Sequence, residues 1–374
     1  MNPKTTNAAA WLVAERTPLE VAAAPYTAPQ ENEIVVKNHA VAINPLDWMK
    51  QAGGGFLYDW LKYPFIMGSD LAGEVVEVGP GVSRFKVGDR VVGHAVGMEK
   101  SLNTAAKGAF QQYTVVLAHM AAPIPATLAY ESAAVLPLGL STAACGLFQK
   151  DQLALAYPSA TPRPTGQTLL VWGGSTSVGS NAIQLAVAAG YEVLTTCSPY
   201  NFAYVQQLGA AQAFDYHSPT AVADITKALR GKTSAGALAI GNGSAEACLA
   251  ILRTCQGNKF IAMTTFPLDF RRFLRGPALW QFGRQLPKLL AFLAGVAVKS
   301  RMRSIRTNFV WGSTLMDNEV SRVIYTDFLP QALADGQFVA TPEPNVIGRG
   351  LGFIQAGLEA QRQGVSARKV VVAL

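Results

Sequence analysis

The sequence predicts a two-domain α/β protein in which a partly open barrel of strands is followed by a doubly wound parallel sheet. The chain has 374 residues, more than the roughly 250–300 at which a single hydrophobic core stops growing. Its N-terminal third holds short apolar runs, rich in valine and glycine and separated by turn dipeptides, a pattern typical of barrel-like strands. Strand-like and helical stretches alternate after that, which indicates βαβ units and a parallel sheet.

The predicted elements can be assigned in order along the chain. Strands are predicted in EIVVKNHAVAI and LAGEVVEVGPGVSRFKVGDRVVGHAV, and a helical region from Pro125 to Phe148. The proline-rich stretch YPSATPRPTG connects them to the second domain. There the strands TLLVW, EVLTTCS, AQAFDY, ALAIGN and KFIAMTT alternate with helices. A strand FVWGS, helical stretches Asp317 to Gly336 and Gly350 to Gly364, and a strand KVVVAL follow.

The glycine-bearing turn GSTSVG, Gly174 to Gly179, directly connects a predicted strand to a predicted helix. A helix N-terminus in this position offers free N–H groups and a positive dipole end to a pyrophosphate. Gly173 and Gly174 permit the tight turn, and Gly179 lets the helix pack against the sheet. The middle position of the usual motif is Thr176 rather than glycine, so an ordinary βα turn is the alternative. The hydroxyls of Ser175, Thr176 and Ser177 favour phosphate binding.

The end of the next strand carries no acidic residue. A carboxylate there would hydrogen-bond a ribose 2′-OH, whereas its absence leaves room for a 2′-phosphate. In TCSPYN, the side chains of Ser198, Asn201 and the nearby Tyr204 offer neutral hydrogen bonds, and Asp215 is the first acid downstream. The pattern therefore predicts NADP(H), although no Arg or Lys is present here to clamp the phosphate.

Four further stretches resemble signatures of the medium-chain dehydrogenase/reductase superfamily in order and spacing. They are AVAINPLDWMKQ, FIMGSDLAGEVVEVGPGVSRFKVGDRVVG, GAFQQYTVV and AAVLPLGLSTAACGLF. The resemblance covers essentially the whole chain. It implies a GroES-like, partly open β-barrel catalytic domain formed by 1–148 and 314–374, and an NADP-binding Rossmann domain over 149–313.

Zinc-dependent alcohol dehydrogenases of this superfamily have a cysteine where this chain has the Asn44–Asp47 turn, and a histidine where it has Ser69. Because zinc is bound by a tetrahedral set of Cys, His or carboxylate donors, we predict no metal site. His94 and His119 are interpreted as strand or loop residues.

The chain is more similar to zinc-independent quinone oxidoreductase-like members, and among them to the fungal trans-acting enoyl reductases of polyketide biosynthesis. NPLD, GGSTSVG, CSPYNF and FDYHSP carry this similarity. It implies that Asn44, Pro45 and Asp47 line the nicotinamide end. It also implies that the pyrophosphate is held by Ser175, Thr176, Ser177 and Val178, the 2′-phosphate region by Ser198, Asn201 and Tyr216, and further cofactor surface by Met263, Thr264 and Val371.

Without a Lewis acid, conjugate reduction is the more accessible chemistry, because hydride delivered to the β-carbon of an enoyl group gives an enolate that hydrogen-bond donors stabilise. We therefore predict NADPH-dependent reduction of an activated C=C bond in an enoyl thioester or an enone. The candidates that orient substrate and nicotinamide are Asn44, Asp47 and Thr142, the last placed at a predicted helix start. Thr142 could equally be a helix cap, and Asp47 could cap a 3₁₀ turn. Quinone reduction at the same site, and an NADPH-binding partner or membrane-associated factor with little turnover, are the alternatives.

Relatives commonly have a lysine two residues after the aspartate of NPLD, whereas this chain has Met49 there and Lys50 next. A slip of one residue rotates a side chain by about 100° around a helix. Lys50 is therefore interpreted as either a cofactor contact or an exposed lysine.

A basic insertion, 266–307, lies between two strands of the second domain, where a much shorter crossover would suffice. Between Thr265 and Arg306 it carries nine Lys or Arg and a single acid, Asp269. We expect either a lid or substrate wall whose cationic rim attracts an acidic carrier protein or an anionic membrane surface, or a solvated helix pair. A nucleic-acid partner is not expected, since no reading motif accompanies the charge.

Four well-separated cysteines and the lack of a visible secretion signal favour a cytoplasmic location. We expect a monomer or a homodimer.

Overall fold

The computed structural model describes residues 6–265 and 267–374, and it divides the chain into two compact units. The first unit comprises 6–138, 269–281 and 325–374. The second unit comprises 139–265, 267–268 and 282–324.

The strands, in chain order, are β1 Asn7–Leu12, β2 Leu19–Ala24, β3 Glu33–Ala42, β4 Phe65–Ile66, β5 Asp70–Val78, β6 Arg90–His94, β7 Tyr113–Leu117, β8 Ala121–Pro123, β9 Gln167–Trp172, β10 Glu192–Cys197, β11 Gln212–Asp215, β12 Thr233–Ala239, β13 Gln256–Gly257, β14 Phe260–Met263, β15 Arg306–Phe309, β16 Glu343–Arg349 and β17 Arg368–Ala373. The α-helices are α1 Pro45–Gly53, α2 Tyr130–Ala133, α3 Pro137–Phe148, α4 Ser177–Ala188, α5 Phe202–Gln207, α6 Ala221–Ala228, α7 Ser244–Leu252, α8 Ala278–Arg303, α9 Glu319–Arg322, α10 Leu329–Ala334 and α11 Ile354–Gln363. Short 3₁₀ turns lie at Gly54–Phe56, Ala105–Lys107, Ala118–Met120, Pro199–Asn201, Phe270–Arg275, Thr314–Asp317 and Leu351–Phe353, and a π-helical segment spans Val323–Phe328.

The first unit is built on two sheets and forms no closed barrel among its described residues. A small sheet has the order β2-β1-β4, and a larger one has the order β16-β17-β3-β5-β6-β8, with β7 also paired to β3. The C-terminal strand β17 pairs antiparallel with β3, so that Val371 lies opposite Ala42. The predicted combination of N-terminal strands with the C-terminal strand in one partly open, GroES-like arrangement is confirmed.

The second unit is a parallel sheet with helices between its strands. Its order is β11-β10-β9-β12-β14-β15, with β13 also paired to β12, and each of these pairings is parallel. The predicted doubly wound sheet is therefore confirmed. Its last strand, β15, ends at Phe309, so the predicted strand FVWGS lies mostly beyond it.

The two units divide the chain at other positions than the predicted 148/149 and 313/314. Most of α3 belongs to the second unit, because Gly146 lies against Leu238, Ala262 and Val310, where an added Cβ would be 2.8 Å from Leu238. The segment 269–281 belongs to the first unit, where Phe270 contacts Gly53. The predicted insertion 266–307 forms a 3₁₀ turn and the 26-residue helix α8. Its first residue, Phe266, lies outside the described residues.

Among the residues that the structure describes, one stretch, Tyr130–Phe148, is long and apolar enough to cross a membrane by length and composition alone. Its most apolar window is 83% buried within the protein. This stretch is therefore better explained as core helix, since a buried helix is apolar on all sides.

Candidate functional site

The glycine turn between β9 and α4 has the backbone geometry that its sequence predicts. Gly173 adopts a φ of 93°, which favours glycine, and Thr176 caps α4 by accepting a 3.0 Å hydrogen bond from the N–H of Gly179. A Cβ on Gly179 would lie 2.2 Å from the carbonyl oxygen of Gly173, so only glycine allows the helix to approach this closely. Gly174 has a different role from the predicted one, because a Cβ there would lie 2.1 Å from the Thr195 hydroxyl on β10.

The turn leaves backbone donors available at the start of α4. Within the described residues, the N–H groups of Ser175, Ser177 and Val178 have no protein acceptor. The Ser177 hydroxyl is buried and also has no partner among the described atoms. Three free amides, a helix N-terminus and an unpaired hydroxyl fit an anionic group such as a pyrophosphate.

The turn is held to the neighbouring strand by two hydrogen bonds. The N–H of Gly173 donates to the hydroxyl of Thr196 at 3.0 Å, and the N–H of Gly174 donates to its carbonyl oxygen at 2.8 Å. Strand β10 then ends at Cys197, which pairs in register with Asp215 of β11. The side chains that follow these two strands therefore meet at the same edge of the sheet as the glycine turn.

Three residues predicted for the 2′-phosphate region follow the ends of these two strands. Ser198 is partly exposed, and Asn201 is buried. Tyr216 is 44% exposed, and its ring centre lies 4.0 Å from that of His217 in a tilted arrangement. The acid nearest in register, Asp215, accepts a 2.9 Å hydrogen bond from the N–H of His217. No acid ends β10 itself, and Ser198, Asn201 and Tyr216 bring hydroxyl and amide groups to this edge of the sheet.

Met263 and Thr264 lie at the same carboxyl edge, three strands from β10. Met263 ends β14 and pairs with Ala239, which in turn pairs with Trp172 directly before the glycine turn. Thr264 donates to the carbonyl oxygen of Ala239 through both its amide and its hydroxyl, at 3.0 and 3.2 Å. Ligands of open parallel sheets bind at this edge.

Thr142 is the sixth residue of α3 and is 9% exposed. It is therefore neither a helix start nor a helix cap, contrary to both interpretations from the sequence. The beginning of the same helix does reach the glycine turn, since a Cβ on Gly139 would lie 2.4 Å from the Ser177 hydroxyl. Thr142 lies one helical turn further along, on the face that Gly139 presents.

Asn44, Pro45 and Asp47 form the start of α1 in the first unit. The Asp47 carboxylate accepts a 2.7 Å hydrogen bond from the N–H of Asn44, so it caps an α-helix rather than the expected 3₁₀ turn. Asp47 is fully buried, and its other oxygen, Oδ1, has no partner among the described residues. Burial, the largest cause, together with the charge of Asp70, raises the pKa of Asp47 to about 7 even though the Asn44 N–H lowers it.

A buried ion pair that the sequence analysis missed lies beside this helix start. Lys369 Nζ is 2.9 Å from Asp70 Oδ2, and Asn44 Nδ2 donates to the same oxygen at 2.9 Å. Lys369 also donates to Asn44 Oδ1, and the N–H of Leu138 donates to Asp70 Oδ1 at 2.7 Å. The amide of Asn44 is thus fixed in one orientation by two opposite charges.

His94 is opposite Asp70 in the pairing of β5 with β6 and is 2% exposed. Burial lowers its pKa to about 4, despite the nearby Asp70 carboxylate, so the imidazole is neutral near pH 7. Strand membership agrees with the sequence interpretation, but the contact with the ion pair was not foreseen.

Lys50 is neither exposed nor oriented as a cofactor contact. It is 1% exposed, and Nζ donates to the carbonyl oxygens of Gly54, Leu57 and Tyr58 at 2.9, 2.6 and 3.2 Å. All three ammonium donors are used, so Lys50 holds the turn after α1. Burial lowers its pKa to about 8.

Val371 is fully buried within β17, two residues from Lys369. Its place in the cofactor surface stays a prediction.

A cavity of about 340 Å³ opens elsewhere in the second unit, lined in part by Gln149, Trp311, Thr314 and Glu319. None of the residues predicted for the site contributes to it. Lys150 and Glu319, which form a 3.0 Å ion pair, both line it.

The sequence contains a sign of the buried ion pair between Asp70 and Lys369 in the first unit. Asp70 interrupts the apolar run FIMGSDLAGEVV, and Lys369 directly precedes VVVAL. A charge within a run that reads as buried strand must find a partner, because an isolated buried charge is costly. The two residues are far apart in sequence, so the pairing itself could not be predicted.

A parallel sheet with a phosphate-type turn, together with a GroES-like unit, is the architecture of the nucleotide-binding oxidoreductases that the sequence resembles. The sequence profile described as alcohol dehydrogenase GroES-like domain matches residues 30–126. The chain is 52% identical over 371 residues to a protein of Monascus ruber named dehydrogenase pigH, over 99% of this chain and 100% of the relative. It is 38% identical to the trans-enoyl reductase himH of Aspergillus japonicus, over 98% and 97% of the two chains.

Among solved structures, the CurK enoyl reductase matches 99% of both chains with a TM-score of 0.73 and 19% identity, a likeness that concerns the fold alone. The chain belongs to the medium-chain dehydrogenase/reductase superfamily. It is an oxidoreductase, and members of this family bind a nicotinamide cofactor. The close approach of Gly179 to Gly173 and the free amides of α4 fit the pyrophosphate of such a cofactor.

Proposed function

We propose that the protein is an NADPH-dependent reductase of an activated C=C bond, carried by an enoyl thioester or an enone. The relative from Aspergillus japonicus bears the name trans-enoyl reductase, which supports this reaction class. When bound, the reduced nicotinamide supplies the hydride. The residues of this chain bind the cofactor, orient the reacting groups and manage charge and protons.

The observation that carries the proposal is the buried cluster of the first unit. Asn44 is oriented by the buried ion pair of Lys369 with Asp70, so its side-chain amide is a preorganised dipole of the kind that stabilises developing charge. Asp47 has a pKa near 7, so its free oxygen can hold or release a proton at neutral pH. All four are nearly fully buried, so they act as positioning residues rather than as direct substrate contacts.

The preference for NADPH over NADH rests on the end of β10, where Ser198 occupies the place of the usual acid. Replacing it with Asp places a negative charge beside a 2′-phosphate, whereas Ser198→Asn is a neutral control of matched shape. We expect Ser198→Asp to weaken NADPH binding by at least roughly tenfold, a difference of about 1.4 kcal/mol, and Ser198→Asn to change it little. Equal effects of the two variants would contradict this placement of the 2′-phosphate.

The reaction class is tested by fluorescence titration with NADPH and with NADH, followed by crotonyl thioester, enone and quinone panels. We expect tight NADPH binding and oxidation by the thioester or the enone. If only quinones oxidise the bound NADPH, the activity is quinone reduction and the proposal is wrong. Tight binding without oxidation by any panel would favour an NADPH-binding factor with little turnover.

A further inference from the structure

Helix α8 turns an apolar face outward. Leu290, Ala294, Val298 and Met302 follow one another at intervals of four residues, so they form one continuous row along the helix. All four are exposed, Leu290 by 55%, Val298 by 56% and Met302 by 80%. A helix of a soluble domain normally shows the opposite polarity, with its polar face toward solvent.

The other side of α8 is anchored in the second unit. Val296 is 6% exposed and belongs to the core that includes Leu249 and Ile251, and Phe292 packs against that core. Arg303 donates to the carbonyl oxygen of Leu249 at 3.1 Å. Gln285, on the same side, is 5% exposed. The outward row is therefore a fixed feature of a packed helix.

The segment that carries the row is basic along its length. Lys288 and Lys299 are exposed and lie eleven residues apart, close to three full turns, so they share one side of the helix, and Lys299 is three residues from Met302 of the row. Between residues 270 and 306 there are nine Lys or Arg and no acid. This number exceeds the net charge of +7 for the whole chain, so the rest of the protein carries a small negative charge.

We propose that the outward face of α8 binds an anionic lipid surface, with the row Leu290 to Met302 inserted at the level of the headgroups. An apolar row bordered by Lys and Arg is the pattern of helices that lie in a membrane interface. Long basic side chains can bury their stems and keep their charges at the lipid phosphates. Trp280, on the same helix and 57% exposed, is a side chain suited to that interface.

Charge argues against a second copy of the chain as the occupant of this face, and an acidic carrier protein is an outcome of the test. A second copy docked by the same face would bring the Lys and Arg side chains of one copy close to those of the other, because a two-fold interface joins identical patches. An acidic carrier protein would match the charge but would leave no reason for an 18 Å apolar row, about twelve residues at 1.5 Å each. The lipid surface accounts for both features.

The experiment is co-sedimentation of the full chain with vesicles of phosphatidylcholine, alone or with a minority of phosphatidylserine. We expect binding to the phosphatidylserine vesicles only, weakened by salt. Brominated lipid should quench part of the tryptophan fluorescence, and that part should be absent in Trp280→Phe.

Two variants separate the contributions of charge and apolar contact. Lys288→Gln with Lys299→Gln should weaken binding by roughly fivefold per residue, and Leu290→Ser with Val298→Ser should abolish the quenching. Lys86→Gln with Val87→Ser, an exposed basic and apolar pair in the first unit, is the matched control and should bind like the unchanged chain. Absence of vesicle binding, or an equal loss of vesicle binding in the control variant, would overturn the proposal. Binding of an acidic carrier protein that depends on Lys288, without binding to vesicles, would also overturn it.

Discussion

Thr176 is the residue at which cofactor placement can be tested most directly. Its hydroxyl caps α4 at 3.0 Å from the N–H of Gly179, and its side chain is exposed beside the free amides of Ser175 and Ser177. Asp and Asn are both good N-cap residues, so Thr176→Asp and Thr176→Asn should both fold. Only Asp adds a charge that repels a pyrophosphate.

We expect Thr176→Asp to raise the Kd for NADPH by at least roughly tenfold relative to Thr176→Asn, about 1.4 kcal/mol of binding free energy. Fluorescence titration measures both. If the two variants bind NADPH equally well, the pyrophosphate is not at the start of α4.

Lys50 makes a second residue-level prediction, because it has a structural role where the family resemblance suggested a functional one. Its ammonium satisfies three carbonyl oxygens of the turn 54–58. Lys50→Met leaves these buried acceptors unpaired, at a cost of about 3 kcal/mol or more. Urea unfolding should show this loss of stability. Lys62→Met, at an exposed lysine of the same region, should change the free energy of unfolding by close to zero. An unchanged Kd for NADPH in Lys50→Met separates this role from cofactor binding, and a weakened Kd at unchanged stability would contradict it.

At the level of the elements, the contact between the glycine turn and α4 depends on the absence of a side chain at Gly179. Gly179→Ala places a methyl group 2.2 Å from the Gly173 carbonyl oxygen, so the helix must shift. We expect a destabilisation of about 1–3 kcal/mol and weaker NADPH binding.

Gly283 of α8 is the matched control, since a Cβ there meets nothing within 4 Å. Gly283→Ala should stabilise the protein by up to about 1 kcal/mol, because alanine favours the helix. Thermal or urea unfolding measures the stability of both variants. If Gly179→Ala also stabilises the protein, the close approach of Gly179 to Gly173 is relaxed in solution.

The helices and strands also show which features could be predicted from the sequence and which could not. The alternation of strands and helices predicted the parallel sheet, and the turn residues predicted the geometry at Gly173 and Gly179, because both depend on local periodicity and backbone preference. The environment of Lys50 was not predictable, since its three acceptors lie in a turn whose conformation has no periodic signature. The pair Asp70–Lys369 depends on the pairing of β17 with β3, which brings together residues from opposite ends of the chain.

For the whole molecule, the free energy of unfolding depends on two buried groups that respond to pH in opposite directions. His94 has its pKa lowered to about 4 from 6.5, so its contribution to stability is present above pH 6.5 and is lost as pH falls toward 4. Asp47 has its pKa raised from 3.8 to about 7, so the folded state binds a proton that the unfolded state has released. Its contribution is present below pH 3.8 and is lost as pH rises through 7.

The variant Asp47→Asn isolates the second contribution, because both proteins retain His94 and every other titrating group. Asn can still accept the hydrogen bond from the Asn44 N–H through its carbonyl oxygen, and its own cost does not change with pH. Urea unfolding at pH 5 and pH 8 should therefore show the stability of the unchanged protein, measured relative to Asp47→Asn, falling by roughly 3 kcal/mol. A difference that is the same at both pH values would mean that the folded-state pKa of Asp47 lies well below 5, so that its carboxylate is ionised at both. That result would remove Asp47 as a group that holds a proton near neutral pH.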